Sequence, residues 1–145
     1  MGVEVEVVRE GSDELVKAFG RLLPQLSRSA APLDAAAISA LAAWPGNTLL
    51  VARVDGEVVG SLTLVIFPIP TGTRAWIEDV VVDEAARGQG VGAVLTTEAV
   101  RLARAGGART VDLTSRPARA AANRLYERLG FELRDSKVYR LPATE

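Results

Sequence analysis

Glycines at alternate positions mark the boundary between an apolar run and a helical pattern in the middle of the chain. Gly88, Gly90 and Gly92 follow a short acidic stretch, and Arg87 stands immediately before them. This spacing lets backbone N–H groups point into one concavity, and the following helix adds a partial positive charge of about half an elementary charge at its N-terminus. The segment Arg87–Ala93 is therefore predicted to bind phosphate. A tight strand-to-helix turn that binds nothing would use the same glycines.

Two well-known phosphate-binding loops can be compared with this segment. A Walker A loop requires Gly-Lys followed by Ser or Thr, and residues 87–93 contain no lysine. The dinucleotide pattern G-x-G-x-x-G/A is satisfied by Gly88–Ala93, and Asp112 ends a later apolar run where a ribose-binding acid would lie. However, residues 83–87 separate the apolar run from the first glycine, and little chain follows to build repeated βαβ units. The dinucleotide-binding interpretation is therefore the weaker alternative.

Two motifs in this order resemble a known superfamily. The pattern Arg-x-x-Gly-x-Gly over residues 87–92, preceded by the apolar strand Ile77–Val82, resembles the acyl-CoA-binding motif of the GNAT N-acetyltransferases. The segment Ala122–Phe131 resembles the later motif of that superfamily, in which a helix carrying Leu-Tyr ends at Gly-Phe. The resemblance covers roughly residues 48 to 141 and is more specific than either motif alone.

The resemblance implies the transfer of an acetyl group from acetyl-CoA to a primary amine. It also implies that the backbone of residues 87–93 holds the pyrophosphate and that main-chain groups of residues 80–82 pair with the pantetheine arm. Arg119 occupies a position where the superfamily usually has asparagine, so its contact with a phosphate stays open. The predicted cofactor-binding residues are Val80, Val81, Val82, Arg87, Gly88, Gln89, Gly90, Val91, Gly92, Ala93, Arg119 and Asn123.

The resemblance also indicates the catalytic residues. An amine is mostly protonated at neutral pH and must lose a proton before it attacks a thioester, so a carboxylate or a carboxylate-held water is required. Glu78 is the predicted base, because similar Glu-Asp pairs occur in GNAT enzymes that acetylate polyamines, and strand alternation is expected to turn Asp79 to the opposite face. Asp79 or water remains the alternative. Tyr126 lies where the superfamily places its general acid, although the same residue could serve only in packing.

Composition excludes several other classes of chemistry. The chain of 145 residues contains no cysteine and no histidine, so Ser-His-Asp and Cys-His catalysis and thiolate metal sites are excluded, and we expect no metal. The net charge of −1 does not suggest a nucleic-acid partner, and no apolar run approaches the length of about 20 residues that spans a membrane. Residues 1–6 do not resemble a signal peptide. We therefore expect a soluble, cytoplasmic protein, and the sequence leaves open whether it forms a homodimer.

The remaining pattern predicts the elements that position these residues. Alternating valines at residues 3–7 predict a strand, Ser12 is the predicted N-cap of the first helix, and Asp55-Gly56 predicts a hairpin turn. The predicted elements after the first strand are helices over 13–23 and 34–43, strands over 48–54, 58–67 and 74–82, a helix over 90–105, a strand over 109–115, a helix over 117–129, and a hairpin over 131–134 and 137–141. The resemblance places residues 26–34 beside the acceptor site, although an ordinary surface loop would look the same.

The order βααβββαβαββ predicts one mixed α/β (α+β) domain over residues 1–145, with a largely antiparallel, GNAT-like sheet flanked by helices. The implied function is N-acetylation of a small-molecule or peptide amine, whose identity the sequence does not give. A regulatory module that binds acyl-CoA or a nucleotide without catalysis is the alternative, because it would need the glycine segment but neither an acid nor a base.

Overall fold

The computed structural model describes residues 2–143, and its elements follow most of the predicted order. The elements are β1 (Val3–Val7), α1 (Asp13–Leu26), α2 (Ala35–Ala43), β2 (Asn47–Val54), β3 (Glu57–Ile69), β4 (Gly72–Val82), α3 (Val91–Ala105), β5 (Thr110–Asp112) and α4 (Ala120–Arg128). A 3₁₀ turn, Glu84–Ala86, lies between β4 and α3. Within residues 2–143, no helix combines the length and the hydrophobicity needed to cross a membrane.

The five strands form one sheet in the order β1-β2-β3-β4-β5. Neighbouring strands are antiparallel except for β4 and β5, which are parallel and are joined by the crossover helix α3. The predicted fold class, a mixed α/β fold with a largely antiparallel sheet and flanking helices, is confirmed. The dinucleotide-binding alternative requires a parallel sheet and does not match this topology.

Helices α1 and α2 pack on one face of the sheet, and α3 packs on the other. On the first face, Leu22 and Ile38 are fully buried in a cluster that includes Val51. On the second face, a Cβ atom added at Gly60 would lie 3.0 Å from Cγ1 of Val91 and 3.2 Å from a Cδ atom of Leu95. Glycine at position 60 therefore allows the first turns of α3 to approach β3 closely.

The hairpin between β2 and β3 forms at the predicted turn. Asp55 has a φ of 52° and Gly56 a φ of 82°. Two consecutive residues with positive φ are typical of a type I′ turn, whose twist matches the twist of the flanking strands. Ser12 is likewise confirmed as the N-cap of α1, because its side chain accepts a hydrogen bond from the backbone N–H of Leu15 at 3.2 Å.

Thr96 of α3 places a hydroxyl group in the core without a partner. The residue is fully buried, and within residues 2–143 its Oγ1 atom has no hydrogen-bond partner. Thr96→Val keeps the shape and removes the desolvated hydroxyl, so we expect it to raise the free energy of unfolding by about 1 kcal/mol. Denaturant unfolding measures this change. Thr97→Val, on the exposed side of the same helix, is the matched control, and an equal gain in both variants would contradict the explanation.

The chain divides into two compact units, one ending at Thr114 and the other beginning at Ser115. The second unit contains α4, and the predicted hairpin of strands over residues 131–134 and 137–141 is wrong, because no strand is present in residues 129–143. Leu133 is 95% exposed and Leu141 is 94% exposed. A segment with alternating apolar residues forms a strand only where a neighbouring strand pairs with its backbone. A single domain over residues 1–145 stays a prediction.

Several element boundaries differ from the sequence-based expectation, most clearly those of α1, α4 and β5. Helix α1 continues past Pro24 to Leu26, and the N–H of Ser27 closes its last turn by donating to the carbonyl of Leu23 at 2.8 Å. Helix α4 begins after Arg119 rather than at residue 117, because Arg119 has a ψ of 64° outside the helical region. Strand β5 is shorter than predicted, since only three of its residues pair with β4.

Candidate functional site

The glycine segment lies at the end of β4, on a short connection to α3. After Val82, Asp83 caps the 3₁₀ turn, and residues 87–90 are exposed before α3 begins at Val91. The predicted residues therefore form an exposed segment over 87–90 and the first turn of the helix over 91–93, in which Val91 is buried. The structure places them together as the sequence predicted.

Two glycines give this segment its shape. Gly88 has a φ of 84° and Gly90 a φ of 79°, and a Cβ atom added at either position would meet no atom within 4 Å. The requirement for glycine is therefore conformational rather than a matter of space. Gly90 is the N-cap of α3, and no side chain caps the helix. The first backbone N–H groups of α3 are thus free for an anion such as a diphosphate, which is the type of group that the predicted cofactor carries.

A polar network fixes the beginning of the segment to α1. The Asp83 carboxylate accepts hydrogen bonds from the Ala85 N–H at 3.2 Å and from Nε of Arg21 at 2.9 Å. The side-chain amide of Gln25 accepts a hydrogen bond from the N–H of Glu84 at 3.0 Å. The bond from Ala85, followed by the ion pair with Arg21, lowers the pKa of Asp83 below its ordinary value. This network was not predicted from the sequence, because its members are far apart in the chain.

We expect Asp83→Asn to destabilise the protein in a pH-dependent manner. Because the pKa of Asp83 is lower in the folded state, its contribution to stability is present above the unfolded pKa of about 3.9 and is lost as the pH falls through the folded pKa. The variant should melt a few degrees below wild type at pH 7, and the difference should shrink below about pH 4. Melting temperatures across this range test the prediction, which a constant difference would contradict.

One edge of β4 is open beside this segment. Strand β5 pairs with residues 74–76 of β4, and the last of these pairs is Trp76 with Asp112. From Ile77 to Val82, β4 pairs with β3 on one side, and no described residue pairs with it on the other. An open edge presents N–H and C=O groups that an extended ligand can pair with. The predicted residues Val80, Val81 and Val82 lie on this edge.

A bulge in β4 changes the geometry of the two neighbouring carboxylates. The register with β3 shifts between Ser61 and Thr63, so that Thr63 lies opposite Glu78, and Asp79 has a φ of 50°. Strict alternation fails at a bulge, so the expectation that Asp79 points to the opposite face from Glu78 loses that basis and stays a prediction. Both residues are exposed, and Asp79 lines a cavity together with Thr63, the cross-strand neighbour of Glu78.

This cavity, which we name the α1–α2 cavity, has a volume of about 50 Å³. It lies between the two helices and the sheet. Its lining residues are Phe19, Leu23, Leu33, Leu41, Leu49, Ser61, Thr63, Asp79 and Val81. Leu33 belongs to the segment 26–34 that the sequence analysis associated with the acceptor. Asp79 is the one charged residue in the lining.

The remaining predicted residues lie in the second unit. Tyr126 of α4 is partly buried, and its ring makes an edge-to-face contact with Phe131 at 5.9 Å between centroids. Burial raises the pKa of the Tyr126 hydroxyl above its usual value, against a smaller opposing effect of the Arg119 charge. Arg119 is exposed, and the side-chain amide of Asn123 donates to the carbonyl of Arg116 at 3.1 Å. Asn123 therefore also stabilises the start of α4.

Comparison with known families identifies the chain. The model of the acetyltransferase (GNAT) family matches residues 15–131. The chain belongs to the GNAT family. The match includes the glycine segment, the β4 bulge and the helix carrying Tyr126, and the predicted resemblance is thereby confirmed. Membership of this family supports acyl transfer as the general activity, and GNAT proteins generally use acetyl-CoA.

Solved GNAT-like structures agree over nearly the whole chain. A Trypanosoma brucei acetyltransferase is 29% identical, with 98% of this chain and 100% of that chain covered and a TM-score of 0.79. A Bacillus halodurans protein described as a transcriptional regulator is 27% identical, with 98% and 100% covered and a TM-score of 0.81. An aminoglycoside acetyltransferase from an uncultured soil sample is 21% identical, with 99% and 100% covered and a TM-score of 0.81, a likeness of fold alone.

Proposed function

We propose that this GNAT protein transfers the acetyl group of acetyl-CoA to a primary amine. The observation that carries the proposal is the uncapped N-terminus of α3 at Gly90, beside an open edge of β4. Bound acetyl-CoA would supply the acetyl group as an activated thioester. The amine acceptor and the specific use of acetyl-CoA are parts of the proposal.

The glycine segment and the β4 edge would hold acetyl-CoA. Backbone N–H groups of residues 87–93 bind the pyrophosphate, and the exposed guanidinium of Arg87 adds a full positive charge. The main-chain groups of residues 80–82 bind the pantetheine arm in the manner of an added strand. Arg119, the N-cap residue of α4, and Asn123 are the further proposed contacts with the cofactor, Arg119 through a phosphate. Because backbone groups would make most of the contacts with acetyl-CoA, we expect binding to depend more on the glycines than on the side chains of this segment.

A carboxylate on β4 would remove the proton from the amine. Glu78 is exposed on the sheet face that carries Thr63, and within residues 2–143 it makes no ion pair, so its carboxylate is available to accept a proton. Asp79 follows it on the bulge and lines the cavity. We therefore assign Glu78 as the base and Asp79 as the group that holds the ammonium form of the acceptor. An ordered water on either carboxylate is the alternative base.

Substitution of the two carboxylates distinguishes their roles. Glu78→Gln removes the base, and we expect kcat to fall about tenfold with little change in KM for the amine, because Asp79 can replace part of the lost function. Asp79→Asn replaces the carboxylate by an uncharged amide of the same shape, and asparagine also tolerates positive φ. The variant should therefore chiefly raise KM for the amine. Steady-state kinetics at a saturating acetyl-CoA concentration measures both changes. The opposite pattern would assign the base to Asp79.

Tyr126 would protonate the departing sulfur of CoA. The raised pKa of its hydroxyl keeps the proton on the oxygen across the neutral range. Because a thiol has a pKa of about 8.5, below that of tyrosine, the hydroxyl is still protonated when the C–S bond breaks and can donate its hydrogen to the negative charge that develops on the sulfur. The edge-to-face contact with Phe131 fixes the orientation of the ring.

A thiol-release assay with purified protein and a panel of primary amines tests the function. We expect release of CoA thiol that depends on the amine, and we expect some amines to give a far higher rate of release than others. A non-catalytic regulatory module is the second candidate, since one similar structure is described as a transcriptional regulator. That candidate predicts acetyl-CoA binding without thiol release for any amine in the panel, and this result would overturn the proposed function.

A further inference from the structure

The α1–α2 cavity combines one carboxylate with an apolar wall. Phe19 and Leu23 of α1, Leu33 of the connecting segment and Leu41 of α2 line one side of it. Asp79 lines the cavity from the sheet, and within residues 2–143 its carboxylate takes part in no ion pair. A ligand that complements this lining has one positive charge and one apolar group.

We infer that the acceptor is a primary amine whose single ammonium group binds Asp79 while a compact apolar substituent fills the α1–α2 cavity. This inference rests on the proposed function and adds the chemical class of the acceptor. The acceptor that fits this description is an aliphatic monoamine or a small amine with a hydrophobic side chain. Polyamines and aminoglycosides do not fit it, because they carry several charges.

Charge complementarity excludes a second cation from the cavity. Among residues 2–143, Asp79 is the only charged residue in the lining, and the wall opposite consists of phenylalanine and leucine side chains. A second ammonium group in this space would lose its hydration without gaining a counter-ion, which is strongly unfavourable. The hydroxyl of Ser61, which is buried and donates to the carbonyl of Leu50 at 3.0 Å, carries no charge and cannot serve as that counter-ion. The cavity therefore selects for an uncharged substituent.

The size of the cavity limits the substituent. A volume of about 50 Å³ corresponds to roughly three to five water-sized groups, since a single water needs about 10–15 Å³ measured in the same way. A short alkyl chain of a few methylene groups has these dimensions. A ring system of an aminosugar antibiotic does not. Each methylene that leaves water for the cavity should tighten binding about fourfold.

The backbone at Asp79 supports a functional role for its position. A φ of 50° is uncommon for a residue other than glycine, and aspartate and asparagine tolerate it best. Such conformations have an energetic cost and are concentrated at binding and catalytic sites. The bulge places this uncommon conformation at a residue that lines the cavity.

Pentylamine and cadaverine form a matched pair of probes, because they share one carbon chain and differ only in the second amine. Calorimetric titration of the full chain with each amine, without acetyl-CoA, tests the cavity independently of turnover. We expect pentylamine to bind at least about tenfold more tightly than cadaverine, and Asp79→Asn to weaken pentylamine binding. Equal binding, or tighter binding of cadaverine, would overturn the inference even if both amines are acetylated. Tighter binding of pentylamine without any thiol release would support the cavity assignment and overturn the proposed function.

A charge introduced into the wall provides a second test. Leu41 is 42% exposed, so Leu41→Glu should fold, and it offers a partner for the second ammonium group of cadaverine. We expect this variant to bind cadaverine at least as tightly as pentylamine. Ala40→Glu places the same charge on an exposed position of α2 outside the cavity lining and should keep the wild-type preference. An unchanged preference in Leu41→Glu would contradict the inference.

Discussion

Gly90→Val is expected to weaken acetyl-CoA binding at least about a hundredfold. The φ of 79° at this position is strained for any side chain and most of all for a β-branched one. Relief of this strain would move the N-cap of α3 and turn its free N–H groups away from the pyrophosphate. Because those N–H groups carry most of the predicted contact, no nearby side chain can replace them. Isothermal titration calorimetry with acetyl-CoA measures the loss.

The control for this prediction is Gly107→Val. Gly107 has a φ of 85° and, like Gly90, has no atom within 4 Å of an added Cβ, but it follows the C-terminal end of α3. The two variants should therefore lose similar amounts of stability while only Gly90→Val loses affinity. Equal affinities for acetyl-CoA in the two variants would mean that the glycine segment is only a tight turn.

Tyr126→Phe is expected to lower kcat about a hundredfold, within the usual range for loss of a general acid. The substitution keeps the ring and its contact with Phe131 at 5.9 Å and removes only the hydroxyl. The melting temperature and the affinity for acetyl-CoA should therefore stay at the wild-type values. If Tyr126 served only in packing, the same substitution would leave turnover unchanged.

The second tyrosine of the chain is the matched control for this variant. Tyr139 is 87% exposed and lies outside both GNAT motifs, so Tyr139→Phe should turn over like wild type. Single-turnover measurements with a good acceptor show whether the chemical step limits the rate. With chemistry rate-limiting, wild-type turnover in Tyr126→Phe would assign protonation of the thiolate to solvent.

Elements with strong local signals were predictable from the sequence. The hairpin at Asp55-Gly56 and the helix N-cap at Ser12 formed as expected, because each depends on the conformational preference of one or two residues. The segment Arg87–Ala93 was predictable for the same reason, since Gly88 and Gly90 adopt positive φ where a strand changes into a helix.

Features that depend on distant partners were not predictable. The bulge at Asp79 arises from the register between β3 and β4, and nothing in residues 78–80 alone indicates the extra residue. The network of Arg21 and Asp83 joins residues that are 62 positions apart. The alternating pattern in residues 131–141 predicted strands. A strand needs a neighbouring strand that pairs with its backbone, and these residues, all of which the structure describes, form no strand.

The origin of the acetyl group in the product tests the central claim most directly. Purified protein is incubated with isotope-labelled acetyl-CoA and the best amine of the thiol-release panel, and the products are quantified by mass spectrometry. Our account predicts a labelled acetamide in an amount equal to the released CoA. Release of CoA without labelled acetamide, or bound acetyl-CoA that persists with every amine, would contradict it.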